Sequence, residues 1–144
     1  EPVMDLHPEL FFFTPLIAAM AGNVGVQSSA IIVQGLANNT IIGPVVERLL
    51  KELSLSLLNG VILSVILLAG SYFLLGYEIH VGYTVSIALL SVIIMASLIG
   101  TFIPIILNKY GVDPALATGP FITTSNDILG ILTYFTIAKI ILGI

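Results

Sequence analysis

The chain has 144 residues, of which 58% are hydrophobic and 8% charged, and its mean hydropathy is +1.15. Soluble domains carry about 25% charged residues, so this chain has too few charges to cover a surface in contact with water. The absence of cysteine excludes disulfides and thiolate sites, and four Lys and Arg against eight Asp and Glu give no basic footprint for nucleic acid. The composition predicts an integral membrane protein.

The predicted elements are long apolar helices. A bilayer core about 30 Å thick requires about 20 helical residues, so the uncharged stretches accommodate four crossings. The fold class predicted is an all-α, polytopic transmembrane helix bundle. The expected spans are 10–38, 53–76, 82–108 and 114–142.

Loops are expected between these spans. After the first span, Gly43-Pro44 indicates an exit loop, and we expect this loop to continue through the charged segment 47–52. Before the fourth span, Pro114 suits a first helical turn with Asp113 as its cap.

Charge predicts the orientation of the bundle. Arg48, Lys51 and Lys109 fall on one side of a four-span alternation, which the positive-inside rule assigns to the cytoplasm, whereas Lys139 lies on the other side. The opposite end is acidic and would either concentrate cations or simply be solvated. Its acids are Glu1, Asp5, Glu9 and Glu78.

Asp127 is the one ionisable residue well inside a predicted span. A charged side chain at that depth costs about 2.5–3.5 kcal/mol or more, so Asp127 should face the bundle interior or a water-filled cavity. The alternative is a protonated or hydrogen-bonded Asp that serves packing alone.

Small and polar residues surround Asp127 at helical spacing, forming either a polar pathway or a close helix contact. This stripe contains Gly119, Thr123, Asn126, Asp127, Gly130 and Tyr134. Pro120 is expected to leave the carbonyls of Thr118 and Gly119 exposed to a cavity.

The first span contains a second polar group. Gly22 and Gly25 make backbone accessible, and Asn23 and Gln27 share a helix face. We expect the first and fourth spans to flank one polar pathway, although the glycines also suit tight packing, with Ala18 and Gly22 as a pair of small residues.

A lone acid without a nearby Lys or Arg favours a cation, and the absence of thiols and of a neighbouring histidine favours a hard one. A two-fold dimer would bring two Asp127 carboxylates together, an arrangement that suits hydrated Mg²⁺, with Mn²⁺ and a proton as alternatives. His7 and His80, expected at the water interface, are weaker candidates for metal ligands.

Two segments give a family resemblance. Residues 15–29, PLIAAMAGNVGVQSS, resemble the second membrane helix of the MgtE magnesium channels, which are related to the animal carriers of solute carrier family 41. Residues 113–127, DPALATGPFITTSND, resemble the start of the last helix of that family. The resemblance implies a homodimeric pore between second and fifth helices, with Asp127 as the central magnesium-binding residue. The residues expected to line the pore and contact the hydrated ion are Gly22, Asn23, Gly25, Gly119, Thr123 and Asn126, with Gly119 replacing a frequent asparagine of the family.

The resemblance covers residues 1–144 as a transmembrane pore domain. The first helix and the cytoplasmic N and CBS domains of the family are expected to be absent, with residues 1–9 as an outer loop. The function expected is conduction of hydrated Mg²⁺ by a homodimer in a prokaryotic inner membrane. The alternatives are a sodium-coupled or other divalent-cation carrier, an intramembrane aspartyl protease and a structural subunit.

Overall fold

The computed structural model describes residues 7–41 and 43–143, so the N-terminal acids Glu1 and Asp5 lie outside the described residues. Four long helices, each apolar enough to cross a bilayer, confirm the predicted all-α transmembrane fold. They are α1 (Glu9–Ala37), α2 (Val45–Phe73), α3 (Ile79–Lys109) and α4 (Pro120–Leu142), with a short 3-10 helix (Pro114–Ala117) before α4.

Helix α2 begins earlier than expected. The segment 47–52 was predicted to be loop, but the helix starts at Val45, directly after Pro44. The charged residues support helix at this position because they pair at i,i+4 spacing: Arg48 Nη2 lies 2.9 Å from Glu52 Oε1, and Lys51 Nζ lies 3.3 Å from Glu47 Oε1. The prediction was wrong because charge density was taken as a loop signal.

The fourth span begins as two pieces rather than as one helix from Pro114. Asp113 caps as predicted, its Oδ1 accepting a hydrogen bond of 2.9 Å from Ala115 N, but it caps the 3-10 helix. The chain then breaks at Gly119, whose φ of +61° and ψ of −135° strongly favour glycine. Pro120 occupies the first turn of α4, where its missing N–H costs nothing.

Helix α3 lies at the centre of the bundle, in contact with each of the other three long helices. The core between α1 and α3 is built from small and branched side chains such as Val85, Ala88 and Val92, which are fully buried. Helix α2 packs mainly on α3 through a narrow face of small residues: Ser64 Oγ donates to Ser86 O at 2.8 Å, and Gly60 faces Leu90. Consequently, much of α2 remains exposed to the bilayer.

Three of the four basic residues lie together at one end of the bundle, as predicted. Arg48, Lys51 and Lys109 line one shared cavity where α1 and α3 end and α2 begins. At the opposite end Tyr77 packs on Phe13, with ring centroids 5.7 Å apart. The four-span alternation inferred from charge is therefore present in the fold, while the assignment of the basic end to the cytoplasm stays a prediction.

Candidate metal centre between α1 and α4

Asp127 lies against α1 at Gly22. A Cβ atom placed on Gly22 would be 2.6 Å from Asp127 Oδ1 and 3.2 Å from Thr123 Cγ2, so these two side chains rest directly on the glycine backbone. Asp127 itself is half-buried. The absence of a side chain at Gly22 therefore makes the space that the carboxylate occupies.

One turn further along α1, Gly25 is enclosed on two sides. A Cβ atom there would overlap Asn126 Nδ2 and approach Ile122 Cγ2 to 3.2 Å. From α3, Gly100 is in close contact with the carbonyl oxygen of Gly25. Small residues at such contacts let membrane helices approach closely. The three helices α1, α3 and α4 meet at this point.

Two hydrogen bonds connect α1 to the fourth span, one near each end of their contact. Ser29 Oγ donates to Ala117 O at 2.6 Å, which attaches α1 to the 3-10 helix before α4. Near the other end, Tyr134 Oη donates to Leu10 O at 2.8 Å, and Tyr134 is fully buried. With Gly130 packed against Ala21 between them, α1 and α4 are held together along most of their length.

An open cavity of about 670 Å³ lies between α1 and the start of α4. It is lined by Asn23, Val26, Gln27, Ala30, Gly119, Pro120, Thr123 and Thr124. Thr123 both lines this cavity and contacts Gly22. Asp127 follows one helical turn later, against Gly22, and is not itself a lining residue. The cavity lies between the first and fourth spans, where a polar pathway was predicted, and its use as a pathway stays a prediction.

The Gly119 carbonyl is not left free as the sequence suggested. It accepts hydrogen bonds of 3.1 Å from both the backbone N and the Oγ1 of Thr123, because α4 begins directly after it. Gly119 therefore lines the cavity with its backbone, and its carbonyl oxygen accepts a hydrogen bond from the first turn of α4.

Asn126 lies away from the cavity. Its side chain is fully buried against Gly25, and neither of its amide atoms has a hydrogen-bond partner among the described residues. An unpaired buried polar group costs about 1–3 kcal/mol. The stripe predicted on the fourth span thus divides: Gly119 and Thr123 border the cavity, whereas Asn126, Gly130 and Tyr134 pack into the bundle.

The coordination chemistry at Asp127 is limited. Within residues 7–41 and 43–143, no three His, Cys, Asp or Glu side chains cluster as a metal-binding group. His7, the interfacial alternative, has its Nδ1 2.9 Å from Glu9 Oε1. A single carboxylate beside the backbone of Gly22 suits a cation that keeps its water shell, as Mg²⁺ tends to do.

Several cavity residues were absent from the predicted set. Gln27 was placed on the face of Asn23 but was not included among the ion contacts, and Thr124 follows Thr123 directly. The polarity of these residues inside an apolar span was the available indication. Val26 and Ala30 gave no such indication, because apolar lining cannot be told from packing in a sequence.

Comparison with known proteins gives a consistent result. A family model described as MgtE, a divalent cation transporter, matches residues 14–137. Three relatives are each named magnesium transporter MgtE. The one from Bacillus subtilis (strain 168) is 41% identical over 130 residues, covering 90% of this chain and 29% of the relative. The one from Thermus thermophilus is 33% identical over 143 residues, covering 99% of this chain and 31% of the relative.

The third relative, from Enterococcus faecalis, is 37% identical over 133 residues, covering 90% of this chain and 29% of its own length. The chain therefore spans less than a third of the length of these relatives. Each match includes both the α1 and the α4 residues that border the cavity, since nearly the whole chain is covered.

Proposed function

Because this chain belongs to the MgtE family of divalent cation transporters, we propose that it is a pore domain that conducts hydrated Mg²⁺ down its electrochemical gradient. The family is one of transporters, so the expectation that the chain is not an enzyme is confirmed and the protease alternative is set aside. The four apolar helices make it a multi-pass integral membrane protein. By similarity with the bacterial relatives, the membrane proposed is a prokaryotic inner membrane.

The observation that supports this proposal most is the position of Asp127. Its carboxylate rests on Gly22, which leaves room for it, one helical turn after Thr123, which lines the cavity. An isolated carboxylate inside a membrane is costly, and it is normally found where a cation or a proton passes. We assign Asp127 as the central ion-binding residue.

The ion would be bound through its water shell. Magnesium dehydrates reluctantly and is usually held by one or two carboxylates and several waters. Asn23 and Thr123 offer polar atoms at the cavity wall, Gly119 brings backbone to it, and the backbone of Gly22 lies against Asp127. Gly25 and Asn126 act in this proposal by setting the contact between α1 and α4 rather than by touching the ion.

One carboxylate per chain is too little negative charge for a divalent cation, so we propose a homodimer. A two-fold axis beside the cavity would place two copies of Asp127 around one ion. Helix α4 has an apolar surface for such a contact, because Phe121, Ile128 and Leu132 are exposed. The second copy would close the open side of the cavity.

The test is Mg²⁺ flux into proteoliposomes that contain the purified chain and a magnesium-sensitive dye. Asp127→Asn should lower the initial flux at least tenfold, whereas the matched control Asp113→Asn should not, because Asn can cap the 3-10 helix as Asp does. Equal flux in Asp127→Asn and the parent chain would refute the site.

The carrier alternative is tested with the same vesicles. Flux that saturates and requires a sodium gradient would identify a sodium-coupled carrier. Flux that depends only on the magnesium gradient and the membrane potential supports the pore. Replacing Mg²⁺ by Mn²⁺ in the assay then measures how far the site discriminates between the two ions.

A further inference from the structure

The charged start of α2 lies at a defined depth in the bilayer. With 29 residues, α2 is about 43 Å long, longer than a hydrocarbon core of about 30 Å. Its uncharged part, residues 53–73, spans about 31 Å and fits that core. The first two turns, which contain Arg48 and Lys51, therefore lie in the layer of lipid headgroups.

Three helix ends form a basic pocket in that layer. A cavity of about 300 Å³ lies where α1 and α3 end and α2 begins. Arg48, Lys51 and Lys109 all line it, and they are three of the four Lys and Arg residues in the chain. A volume of this order is at the lower end of the range for small-molecule sites.

The charges of the pocket sum to a single positive charge. Arg48 pairs with the buried Glu52, and Lys51 pairs with Glu47, which leaves the charge of Lys109. The Lys51–Glu47 pair is well exposed, so it contributes little and leaves Lys51 free to turn toward another anion. Arg48 Nε is buried and has no hydrogen-bond partner among the described residues. One monovalent phosphodiester would complement both the net charge and this donor.

An open groove continues from the pocket into the membrane. Since α2 packs mainly on α3, it leaves a cavity of about 530 Å³ between α1, α2 and α3, and Arg48 lines this cavity as well as the basic pocket. Leu55, Leu58 and Ile62 border the groove and are exposed, and polar side chains such as Gln27, Asn59 and Ser97 complete its lining. Apolar side chains at this depth suit acyl chains.

We propose that the pocket and the groove together bind one anionic phospholipid. Its phosphate would lie beside Arg48, Lys51 and Lys109, and its acyl chains would run along Leu55, Leu58 and Ile62. A basic pocket between membrane helices at a headgroup layer is a known kind of site for anionic lipids. A zwitterionic lipid adds its own positive charge to a pocket that is already positive, so phosphatidylglycerol should bind more tightly than phosphatidylcholine.

Native mass spectrometry of the purified chain, titrated with phosphatidylglycerol or phosphatidylcholine, measures this directly. We expect phosphatidylglycerol to be retained at least tenfold more than phosphatidylcholine. The double variant Lys51→Gln/Lys109→Gln should lose about twenty-fivefold in retention of phosphatidylglycerol, since each interfacial lysine contributes about fivefold. Both side chains are exposed, so the fold should persist.

Two controls accompany this measurement. Lys139→Gln removes the remaining cation, which lies outside the pocket, and should leave retention unchanged. The variant Lys51→Arg/Lys109→Arg preserves charge and should restore binding. Equal retention of the two lipids, an unaffected double variant, failure of the Arg variant to restore binding, or an equal loss in Lys139→Gln would overturn the proposal.

The identity of the occupant is tested in the same experiment. Glycerol 3-phosphate, a soluble phosphate, should not displace the lipid at equal concentration, because it has no acyl chain for the groove. Displacement would assign the pocket to free phosphates instead. Lipid retained on monomers and lost when two chains associate would assign the groove to a second copy. Because the readout is binding, neither result depends on magnesium transport.

Discussion

Gly22→Ala tests whether the glycine under Asp127 positions the carboxylate. The added Cβ would lie 2.6 Å from Asp127 Oδ1, nearer than ordinary van der Waals contact at about 3.4 Å. The carboxylate is the end of a side chain, so it can move away from α1 by about 0.8 Å. Thr123 Cγ2, at 3.2 Å, must give by only a few tenths of an ångström.

The effect on ion binding follows from Coulomb's law. A hydrated Mg²⁺ would lie about 4.5 Å from a carboxylate oxygen that contacts its water shell. With an effective dielectric constant of about 20, a retreat of about 0.8 Å weakens the attraction of that carboxylate by about 1 kcal/mol. Each carboxylate that moves therefore lowers the affinity about fivefold.

Stability should change little in this variant. Replacing glycine by alanine inside a helix stabilises by about 0.5–1 kcal/mol, which offsets the shift of a partly exposed side chain. Gly22→Ala should thus bind Mg²⁺ more weakly while unfolding at the same temperature as the parent chain or slightly above it.

Gly25→Ala, three residues away, provides the matched control. Its Cβ would overlap the fully buried amide of Asn126, which has no free space to enter. Overpacking of this kind costs about 1–3 kcal/mol. Gly25→Ala should therefore lower the unfolding temperature in detergent, measured by the loss of the folded peak in size-exclusion chromatography.

The reasoning is refuted by either of two results. One is a Gly22→Ala chain that binds Mg²⁺ as tightly as the parent in calorimetry. The other is a Gly22→Ala chain that loses as much thermal stability as Gly25→Ala, since that would place both glycines in the same packing role.

Three further substitutions test the packing around the site. Tyr134→Phe removes the hydrogen bond to Leu10 O and should lower the free energy of unfolding by about 0.5–1.5 kcal/mol with Mg²⁺ flux unchanged; no loss of thermal stability would contradict it. Asn126→Leu replaces an unpaired buried amide by an apolar group of similar shape and should raise the unfolding free energy by about 1 kcal/mol, whereas a marked loss would show that the amide has a partner. Glu52→Gln should lower the free energy of unfolding by about 1.5–3 kcal/mol, because the Glu52 side chain is only 6% exposed. Glu47→Gln should lower it by less than about 0.5 kcal/mol, because the Glu47 side chain is 60% exposed. Equal losses of the two variants in chemical unfolding would contradict this difference.

The number of helices and their class could be predicted because span length and apolar composition depend on the bilayer rather than on tertiary contacts. The start of α2 could not be predicted, because charged residues such as Arg48 and Glu52 are equally compatible with a polar loop and with a helix. Only their pairing along the helix, with Glu52 buried, shows that the helix extends into the headgroup layer. The break at Gly119 was predictable only in part: Pro120 indicated a disturbed helix there, but not the separate 3-10 helix or the positive φ of Gly119.

The candidate site was predictable in outline. Polar residues in two spans indicated that α1 and α4 share a cavity, and the structure places Asn23 and Thr123 on its wall. The distinct positions of Asn126 and Asp127 were not predictable. Neighbouring residues point about 100° apart on a helix, so which of the two contacts Gly22 and which contacts Gly25 depends on how α4 is rotated against α1.

The central claim is that a hydrated divalent cation binds beside Asp127. Anomalous diffraction from crystals of the chain grown with Mn²⁺, which substitutes for Mg²⁺ and scatters anomalously, locates the ion directly. The account predicts a peak about 4.5 Å from the Asp127 carboxylate, with ordered waters between them, and loss of that peak in Asp127→Asn. A peak elsewhere in the membrane, or one that persists unchanged in Asp127→Asn, would contradict it.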